Sequence, residues 1–348
     1  MSTIAVVIPT YRARRSILDV IAQVGPEVSR IYVVDDCCPE RTGDLVESDC
    51  ADDRVSVIRH AQNQGVGGAT LTGYAAAAAD GAAVIVKIDS DGQMDPALIP
   101  FFVRPILEGQ ADYVKGNRFF NAASLSSMPR IRLLGNAGLS LMTKFSTGYW
   151  NIFDPSNGYT ALHARLVPLL PRDKIAKRFF FETDMLFYLG LLRAVVIDVP
   201  IVAYYGDEES NLKIKSVLFS FFGAHFVRFG RRVLLNYVLR DFSFASLCLM
   251  AGLPLLLFGI IFGGAHWVGS LAGAGPTPVG TVMLASLSIL LGIQLILFFF
   301  SADIATTPRQ PLHVLLNQRT VRPLQQFGGR GLPERAEPLP SEEPGAGR

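Results

Sequence analysis

Two carboxylates separated by one residue stand directly after a short apolar run. Asp89 and Asp91 follow residues 84–88, and Gly92 and Gln93 come next. Hard divalent cations such as Mg²⁺ or Mn²⁺ bind carboxylate oxygens and commonly leave coordination positions open for phosphate oxygens. The pattern therefore predicts a metal site formed by Asp89 and Asp91, at which the ion bridges a diphosphate.

Two structural alternatives compete with this metal site. An Asx turn closed by Gly92 accounts for one aspartate, but it does not explain two carboxylates beside Gln93. A calcium loop of the EF-hand type is disfavoured because the later ligands of that loop are missing. The open, two-carboxylate site remains the favoured interpretation.

The elements that position these carboxylates are short apolar runs, rich in β-branched residues, that alternate with helical segments. The runs cover residues 4–8, 30–34, 55–58 and 83–88, and helical segments include residues 14–24 and 68–79. This alternation predicts βα units and a mostly parallel sheet. Ligands of such open sheets bind beyond the carboxyl ends of the strands. We therefore expect the polar clusters that end the runs to border one cleft; they are Pro9-Thr10, Asp35-Asp36, Asn63 and Asp89 to Gln93.

Composition narrows the class of protein. The chain has 348 residues, 50% of them hydrophobic, and a mean hydropathy of +0.33, which favours a soluble domain joined to a short membrane module. A net charge of +2 disfavours nucleic acid as a partner. The four cysteines, at positions 37, 38, 50 and 248, lack metal-ligand spacing and indicate reduced thiols in the cytosol. The N-terminus shows no signal-peptide pattern, so we expect the first domain to stay inside the cell.

Two long uncharged segments follow the first domain. Residues 242–264 and 280–301 are each long enough to cross a bilayer, and they lack the polar stripe expected of buried core helices. Basic residues flank the pair, whereas the connecting residues 265–279 carry no charge. The positive-inside rule places both termini in the cytoplasm and predicts an enzyme of the cytoplasmic (inner) membrane. Residues 212–239 mix Phe and Leu with Lys and Arg, as in an amphipathic helix at the membrane surface.

Four segments in register carry a family resemblance. In order and spacing they resemble the family 2 glycosyltransferases with a GT-A fold, and more narrowly the dolichol phosphate mannose synthase and polyprenyl phosphate glucosyltransferase branch. The segments are residues 7–11 (VIPTY), 33–36 (VVDD), 63–69 (NQGVGGA) and 89–96 (DSDGQMDP). The resemblance covers roughly residues 3 to 240 and extends to the two-helix anchor. It implies a Rossmann-like, mostly parallel α/β domain, followed by amphipathic interface helices and two transmembrane helices.

The resemblance implies a donor site for a nucleotide sugar, either UDP- or GDP-linked. Pro9, Tyr11 and Asp36 would line the base and ribose pocket, whereas Asp35 either joins them or caps the following helix. The Gly-rich turn with Gly65, Gly67 and Gly68 would let the backbone approach the nucleotide and start a helix, although such a turn is often structural alone. Asp89, Asp91 and Gln93 would hold Mg²⁺ or Mn²⁺.

The same resemblance implies an acceptor site for the phosphate of a polyprenyl lipid. Arg118 occupies the family's Gly-x-Arg place, and Arg132 matches a second arginine of the branch, although both also suit a surface role. Planar guanidinium groups suit bidentate phosphate binding. Residues 154–159 are similar to a segment near the donor sugar. Glu182 and Asp184 lie where an acidic residue approaches the reaction centre, and the alternative for both is a helix N-terminus.

The chain departs from the branch at one motif. Where Arg-x-x-Gly-x-Ser-Lys is usual, residues 205–213 read YGDEESNLK, without the arginine and lysine of the motif. Lys213 and Lys215 are the candidate replacements for the lost positive charge at the donor diphosphate. The departure puts the identity of the donor sugar in doubt.

These observations predict an inverting, metal-dependent hexosyltransferase that acts on polyprenyl phosphate. The expected organisation is a glycosyltransferase domain (1–211), an amphipathic region (212–241), a transmembrane hairpin (242–301) and a partly disordered cytoplasmic tail (302–348). One rival is a processive polysaccharide synthase, which needs a Gln-x-x-Arg-Trp motif and more spans; the other is a non-catalytic membrane scaffold. Self-association is left open.

Overall fold

A computed structural model describes residues 3–120, 130–201, 214–273 and 275–316. Its first part is a seven-stranded sheet in the order β3-β2-β1-β4-β6-β5-β7. The strands are β1 (Ile4–Thr10), β2 (Arg30–Asp35), β3 (Val55–Arg59), β4 (Val84–Lys87), β5 (Tyr113–Asn117), β6 (Thr160–His163) and β7 (Val196–Pro200). Strand β6 is antiparallel to both of its neighbours, and the other neighbouring strands are parallel. The predicted mostly parallel α/β sheet is confirmed.

Helices cover both faces of this sheet. They are α1 (Ile17–Ala22), α2 (Thr42–Asp49), α3 (Val66–Ala79), α4 (Ile99–Leu107), α5 (Arg130–Thr147) and α6 (Phe181–Leu192). All seven residues of β1 are buried, because a continuous apolar run suits a central strand that is covered on both faces. Val7 packs in one apolar core with α3 and α6, and Val6 packs in the other with α1 and α4. The two cores fix the carboxyl ends of β1, β2 and β4 relative to α3.

Two long apolar helices follow, with compositions and lengths that suit a membrane. They are α8 (Phe244–Leu271), with a mean hydropathy of 2.3, and α9 (Val279–Ala305), with a mean hydropathy of 2.5. Less than a third of each apolar window is buried, 28% and 22%, which differs from the core helices of a soluble protein. Helix α8 continues beyond residue 264, where the sequence predicted a loop, and the chain turns only near Gly273, whose φ is +91°.

Small residues let α8 and α9 approach each other closely. A Cβ atom on Gly292 would lie 2.6 Å from the backbone nitrogen of Leu256, and one on Gly259 would lie 2.9 Å from the carbonyl oxygen of Ala285. Close backbone approach at small residues is typical of helix packing within membranes. The pair therefore forms a tight hairpin.

The amphipathic stretch joins the hairpin to the first domain. It forms α7 (Ile214–Val233), which is followed by a π-helical segment, Leu234–Arg240. Arg232 of α7 forms an ion pair with Asp303 of α9, with Nη1 2.6 Å from Oδ1. The Tyr237 hydroxyl donates to Asp303 Oδ1 at 2.5 Å, and the Trp150 indole N–H donates to Oδ2 at 2.9 Å. We call Trp150, Arg232, Tyr237 and Asp303 the junction cluster, because it links the first domain, α7 and the hairpin.

After α9 the chain returns to the sheet. Helix α10 (Leu312–Leu316) docks at the start of β5, where Asp112 accepts hydrogen bonds from the backbone N–H groups of Leu312 and His313 at 2.7 and 2.8 Å. His313 Nδ1 lies 2.7 Å from the same carboxylate. The first residues of the predicted tail are thus packed against the first domain. The tail after Gln326, for which disorder is predicted, lies outside the described residues.

Candidate active site

The carboxyl ends of β1, β2 and β4 open onto one cleft beside the N-terminus of α3. The cleft encloses about 1050 Å³, counted to its open mouth. It is lined by Pro9, Thr10, Tyr11, Asp36, Asn63, Gly65, Val66, Ala69, Asp89, Ser90, Asp91, Arg178 and Phe179. The structure therefore brings together most of the residues assigned to the donor and metal sites from the sequence.

Lys87 lies under the floor of this cleft and organises its acidic groups. Its Nζ is 2.6 Å from Asp89 Oδ1 and 3.7 Å from Glu182 Oε1, and its side chain is only 1% exposed. Burial by itself lowers the pKa of Lys87, but attraction by Asp89 and Glu182 outweighs that effect and raises the pKa. The lysine therefore stays charged and fixes both carboxylates. We call Lys87, Asp89 and Glu182 the cleft cluster.

Asp91 forms the Asx turn that the sequence offered as the alternative to a metal site, and it also lies at the cleft. The backbone N–H of Gln93 donates to Asp91 Oδ1 at 2.9 Å, and Gly92 has a φ of +78°, so the Asx turn is present. Asp91 is exposed and lines the cleft. The turn orients the carboxylate and leaves it able to bind a ligand.

The donor set of this cleft fits a hard divalent cation. Among the described residues, no group of three or more His, Cys, Asp or Glu side chains could enclose a metal ion. Asp89 and Asp91 instead offer two carboxylates at an open site, the arrangement that Mg²⁺ and Mn²⁺ use with substrate phosphates. Gln93 is exposed and does not line the cleft, so the contact shown for it is the backbone bond that closes the turn. The prediction that its side chain is a metal ligand is not supported by this placement.

Asp36 positions the edge of the cleft. Its carboxylate accepts hydrogen bonds from the backbone N–H groups of Gln64 and Gly65, at 2.8 and 2.6 Å, and Oδ1 lies 2.7 Å from His60 Nδ1. Only 3% of the side chain is exposed. Because both oxygens already bind the chain, Asp36 holds the turn at residues 63–65 in place, and its direct contact with a base remains a prediction.

Asp35 caps the helix that follows it, which is one of the two roles that the sequence left open. Its Oδ2 accepts a hydrogen bond from the backbone N–H of Gly43 at 2.6 Å, and its Oδ1 accepts one from Cys38 at 2.7 Å. Gly43 lies in the first turn of α2, where backbone N–H groups lack partners within the helix. Asp35 therefore caps α2, as the structural alternative stated.

Gly67 packs closely against the segment that precedes α6, where a larger side chain would not fit. A Cβ atom on it would lie 2.6 Å from the Phe181 ring and 2.7 Å from the carbonyl oxygen of Ala176, and its N–H donates to Lys177 at 2.9 Å. These contacts direct Gly67 toward the segment that precedes α6. Contact of Gly67 with the donor stays a prediction, and Gly65, another glycine of the same predicted turn, lines the cleft.

Arg118 follows β5 and forms a bidentate pair with Asp154. Its Nε lies 2.7 Å from Asp154 Oδ2 and its Nη2 lies 3.0 Å from Oδ1, whereas Asp154 is fully buried and the arginine side chain is 29% exposed. The ion pair therefore joins Arg118 to residues 154–159, and both are predicted to lie near the substrates. Binding of a lipid phosphate by Arg118 remains a prediction.

An apolar groove lies beside this pair. It is lined by Phe119, Leu133, Asn136, Ala137, Ser140, Leu141, Lys144 and Phe153. Phe119 and Phe153 each lie next in sequence to one partner of the Arg118–Asp154 pair. An acceptor held at Arg118 would therefore have an apolar surface beside it.

Glu182 and Asp184 begin the same helix but have different partners. Both lie in the first turn of α6, as the helix N-terminus alternative stated. Glu182 belongs to the cleft cluster. Asp184 is fully buried, pairs with Arg228 of α7 at 2.7 Å and accepts a hydrogen bond from Ala176. These contacts hold α7 against the domain, and a place for Asp184 at the reaction centre stays a prediction.

The side chains of two predicted site residues, Arg132 and Lys213, lie outside the described part of the chain. Arg132 lies on α5, but its side chain is outside the described part of the chain. Lys213 and the divergent residues 205–213 also lie outside the described residues. Both assignments stay predictions.

The family follows from comparison with known proteins. The model of "Glycosyl transferase family 2" matches residues 5–167. The undecaprenyl-phosphate mannosyltransferase of Micrococcus luteus is 30% identical over 200 residues, which cover 56% of this chain and 81% of that protein. The chain belongs to glycosyl transferase family 2. The family resemblance read from the four sequence segments is thus confirmed.

Other members of glycosyl transferase family 2 and one solved structure extend this comparison. A UDP-N-acetylglucosamine--dolichyl-phosphate N-acetylglucosaminyltransferase of Methanococcus voltae is 29% identical over 63% of this chain and 92% of that protein. A crystal structure of glucosyl-3-phosphoglycerate synthase from Mycobacterium tuberculosis, in complex with Mn²⁺ and UDP-glucose, has a TM-score of 0.50 and 21% identity. It covers 66% of this chain and 79% of that chain, and it supports the predicted GT-A fold.

Sequence reasoning missed four residues of this family 2 site. Lys87 and Lys115 are buried in strands, and burial lowers the pKa of Lys115 to about 8 although Glu182 and Asp154 oppose the shift. A lysine inside an apolar strand was the available signal for both. Arg178 and Phe179 line the cleft from the loop before α6, and no local pattern marks them.

Proposed function

We propose that this family 2 glycosyltransferase moves a sugar from a UDP- or GDP-linked donor to the phosphate of a polyprenyl lipid, with inversion, at the cytoplasmic face of a membrane. The observation that carries the proposal is the placement of Asp89 and Asp91 side by side in the cleft. Relatives named for transfer to dolichyl or undecaprenyl phosphate support the acceptor class.

Asp89 and Asp91 are the residues that would hold Mg²⁺ or Mn²⁺, which would neutralise charge on the departing nucleoside diphosphate. Lys87 orients Asp89 for this role through the contact between its Nζ and Asp89 Oδ1, at 2.6 Å. Tyr11 and Phe179 have side chains exposed at the cleft and suit contact with the base or sugar. The protein thus supplies position and charge.

The acceptor makes a general base unnecessary. A lipid phosphate is already anionic, so it can attack the anomeric carbon of the sugar without losing a proton first. The bond from that carbon to the diphosphate breaks as the bond to the lipid phosphate forms, which inverts the anomeric centre. Glu182 lies 3.7 Å from Lys87 and serves to position the cleft cluster.

Both termini are placed in the cytoplasm on this proposal, because basic residues flank the hairpin and the turn between α8 and α9 is uncharged. The cleft then faces the leaflet from which the lipid presents its phosphate. A reporter fused after residue 348 should be accessible from the cytoplasmic side only; access from the opposite side would contradict the topology.

The proposal is tested by product formation in the full-length protein. A panel of radiolabelled UDP- and GDP-sugars is incubated with polyprenyl phosphate, with and without a chelator, and the organic phase is analysed. We expect one donor to yield a labelled lipid, chelation to stop the reaction, and Mg²⁺ or Mn²⁺ to restore it. Asp95→Asn is the matched control, because this exposed aspartate caps Ala97 and does not line the cleft. Label transfer that ignores the chelator would contradict the metal assignment.

A further inference from the structure

A second pocket lies away from the cleft, at the junction of the hairpin and the first domain. Its walls come from the end of α6, the π-helical segment before α8 and the end of α9. Helix α8 begins at Phe244 and α9 ends at Ala305, so the pocket lies where both apolar helices end on the side of the first domain. We call it the junction pocket. If the hairpin spans a bilayer, the pocket lies at the depth of the lipid headgroups.

The charge of the junction pocket is unevenly distributed. Three arginines and two aspartates line it. Arg232 and Asp303 neutralise each other in the junction cluster at 2.6 Å. Arg193 and Arg240 then face a single further carboxylate, that of Asp241, and within the described residues neither arginine forms an ion pair with it. The pocket therefore carries an excess of one positive charge.

Arg193 and Arg240 both line the junction pocket, and both residues are exposed at its opening. Arg240 Nη1 donates to the carbonyl oxygen of Leu191 at 2.6 Å, which holds the guanidinium beside the end of α6. Burial lowers the pKa of Arg240, and repulsion from Arg193 lowers it further. Two like charges held together are stabilised by an anion placed between them. The geometry is that of an anion site whose counter-charge comes from outside the chain.

A buried polar atom points to the rest of the ligand. Asn236 lines the same pocket, and its Oδ1 is buried and accepts no hydrogen bond from the described residues. A buried acceptor without a donor costs free energy, roughly 1–3 kcal/mol in general. A ligand that carries a hydroxyl group beside its phosphate would supply that donor.

We propose that the junction pocket binds the headgroup of an anionic phospholipid, with the phosphate between Arg193 and Arg240 and a headgroup hydroxyl donating to Asn236. The headgroup is favoured over a soluble anion because the pocket opens where the apolar helices end. The site is separate from the cleft and shares no lining residue with it. It depends on the membrane placement of the hairpin and is independent of which sugar is transferred.

The test measures thermal unfolding of the full-length protein in a neutral detergent during titration with short-chain phosphatidylglycerol. A ligand that binds the folded state raises the unfolding temperature in a concentration-dependent manner, which yields an apparent Kd. We expect phosphatidylglycerol to raise it and phosphatidylcholine to have no such effect. Arg193→Gln should raise the apparent Kd about tenfold, because one charge-assisted hydrogen bond is lost.

Two variants serve as controls. Arg193→Lys keeps the charge and should retain most of the affinity. Arg309→Gln removes an exposed charge just beyond α9 that does not line the pocket, and should change the apparent Kd by less than about twofold. Arg193 makes its cap contacts through the backbone, so Arg193→Gln should keep the unfolding temperature of the lipid-free protein.

Several results would overturn the proposal. Equal weakening by Arg309→Gln and Arg193→Gln would indicate diffuse attraction to the whole surface. An equal rise in unfolding temperature with inorganic phosphate alone would assign the pocket to a soluble anion. Displacement of phosphatidylglycerol by much lower concentrations of polyprenyl phosphate would assign it to the acceptor.

Discussion

The cleft cluster and the junction cluster each pair a buried cation with carboxylates, but they differ in solvent access. In the cleft cluster, Lys87 is 1% exposed, whereas Asp89 and Glu182 keep 30% and 16% of their side chains exposed. In the junction cluster, Arg232 and Asp303 are 3% and 1% exposed, and both oxygens of Asp303 accept hydrogen bonds from protein groups. The first arrangement leaves acidic groups accessible to a ligand; the second leaves none.

This difference in exposure indicates that the cleft cluster serves ligand binding, whereas the junction cluster holds the first domain, α7 and the hairpin together. Removal of one partner from a fully buried ion pair lowers the stability of the protein strongly, because the remaining charge stays buried and uncompensated. Partly exposed carboxylates keep room for a cation and a diphosphate. We therefore expect substitutions in the junction cluster to lower stability and substitutions at the metal-binding aspartates to lower activity.

The largest effect is expected from Asp303→Asn. The substitution leaves Arg232 buried without its counter-charge, which costs roughly 3–5 kcal/mol for a broken buried pair. The free energy of unfolding, or the unfolding temperature in detergent, measures this loss. Asp241→Asn is the control, because this aspartate is exposed at the same junction. Equal stability of the Asp303 and Asp241 variants would remove the structural role of the junction cluster.

Asp91→Asn comes next and acts on turnover. It removes a charge from the metal site while Asn can still accept the turn hydrogen bond from Gln93, so the fold should be kept. Loss of one electrostatic group that stabilises the departing charge costs roughly 10²–10³-fold in kcat. Turnover with saturating donor and acceptor is the measurement, and an undiminished rate would exclude Asp91 as a metal ligand.

A smaller effect is expected from Arg118→Lys. Lysine keeps a positive charge beside the buried Asp154, whereas alanine would leave that carboxylate without a partner. Lysine lacks the bidentate geometry for a phosphate, so the KM for polyprenyl phosphate should rise about tenfold and the KM for the donor should change little. Arg59→Lys, in an exposed ion pair with Glu47, is the matched control. A rise confined to the donor KM would move Arg118 to the diphosphate.

The smallest effect concerns the rim of the cleft. Tyr11 is 45% exposed and lines the cleft, so it can stack on a nucleotide base. Tyr11→Ala should raise the donor KM about fivefold, since stacking on an aromatic ring contributes roughly 1–3 kcal/mol and this ring is only partly enclosed. Phe101→Ala, an exposed aromatic outside the cleft, should have no effect. Equal KM values for the two variants would exclude Tyr11 from the donor site.

The sequence predicted the sheet, the cleft and the hairpin because each has a local signature. Strand ends, a pair of carboxylates and long apolar runs can be read without knowledge of tertiary contacts. Asp89 and Asp91 were found in this way. The predicted loop, residues 265–279, was too long at its start because α8 continues through Gly264 and Gly269 and ends only at Leu271.

The partners of the predicted residues could not be read in the same way. Strand β6 inserts between β4 and β5, so the contacts around it join segments far apart in sequence. Lys87 meets Glu182, and Asp184 meets Arg228, only through this folding. Gly67 likewise faces a loop more than a hundred residues later in the chain, with Ala176 as its contact. These pairings place Glu182 beside Lys87 in the cleft cluster and Asp184 against Arg228 of α7.

The most direct test of the account compares nucleotide binding in two variants. Thermal unfolding of the wild type, Asp91→Asn and Asp303→Asn is recorded with and without Mn²⁺ together with the nucleoside diphosphate of the active donor. We predict that the metal and nucleotide stabilise the wild type and Asp303→Asn by the same increment, although the latter unfolds at a lower temperature, and that Asp91→Asn loses the increment while its ligand-free unfolding temperature is kept. Loss of the increment in Asp303→Asn, with full retention in Asp91→Asn, would contradict the separation of binding from assembly.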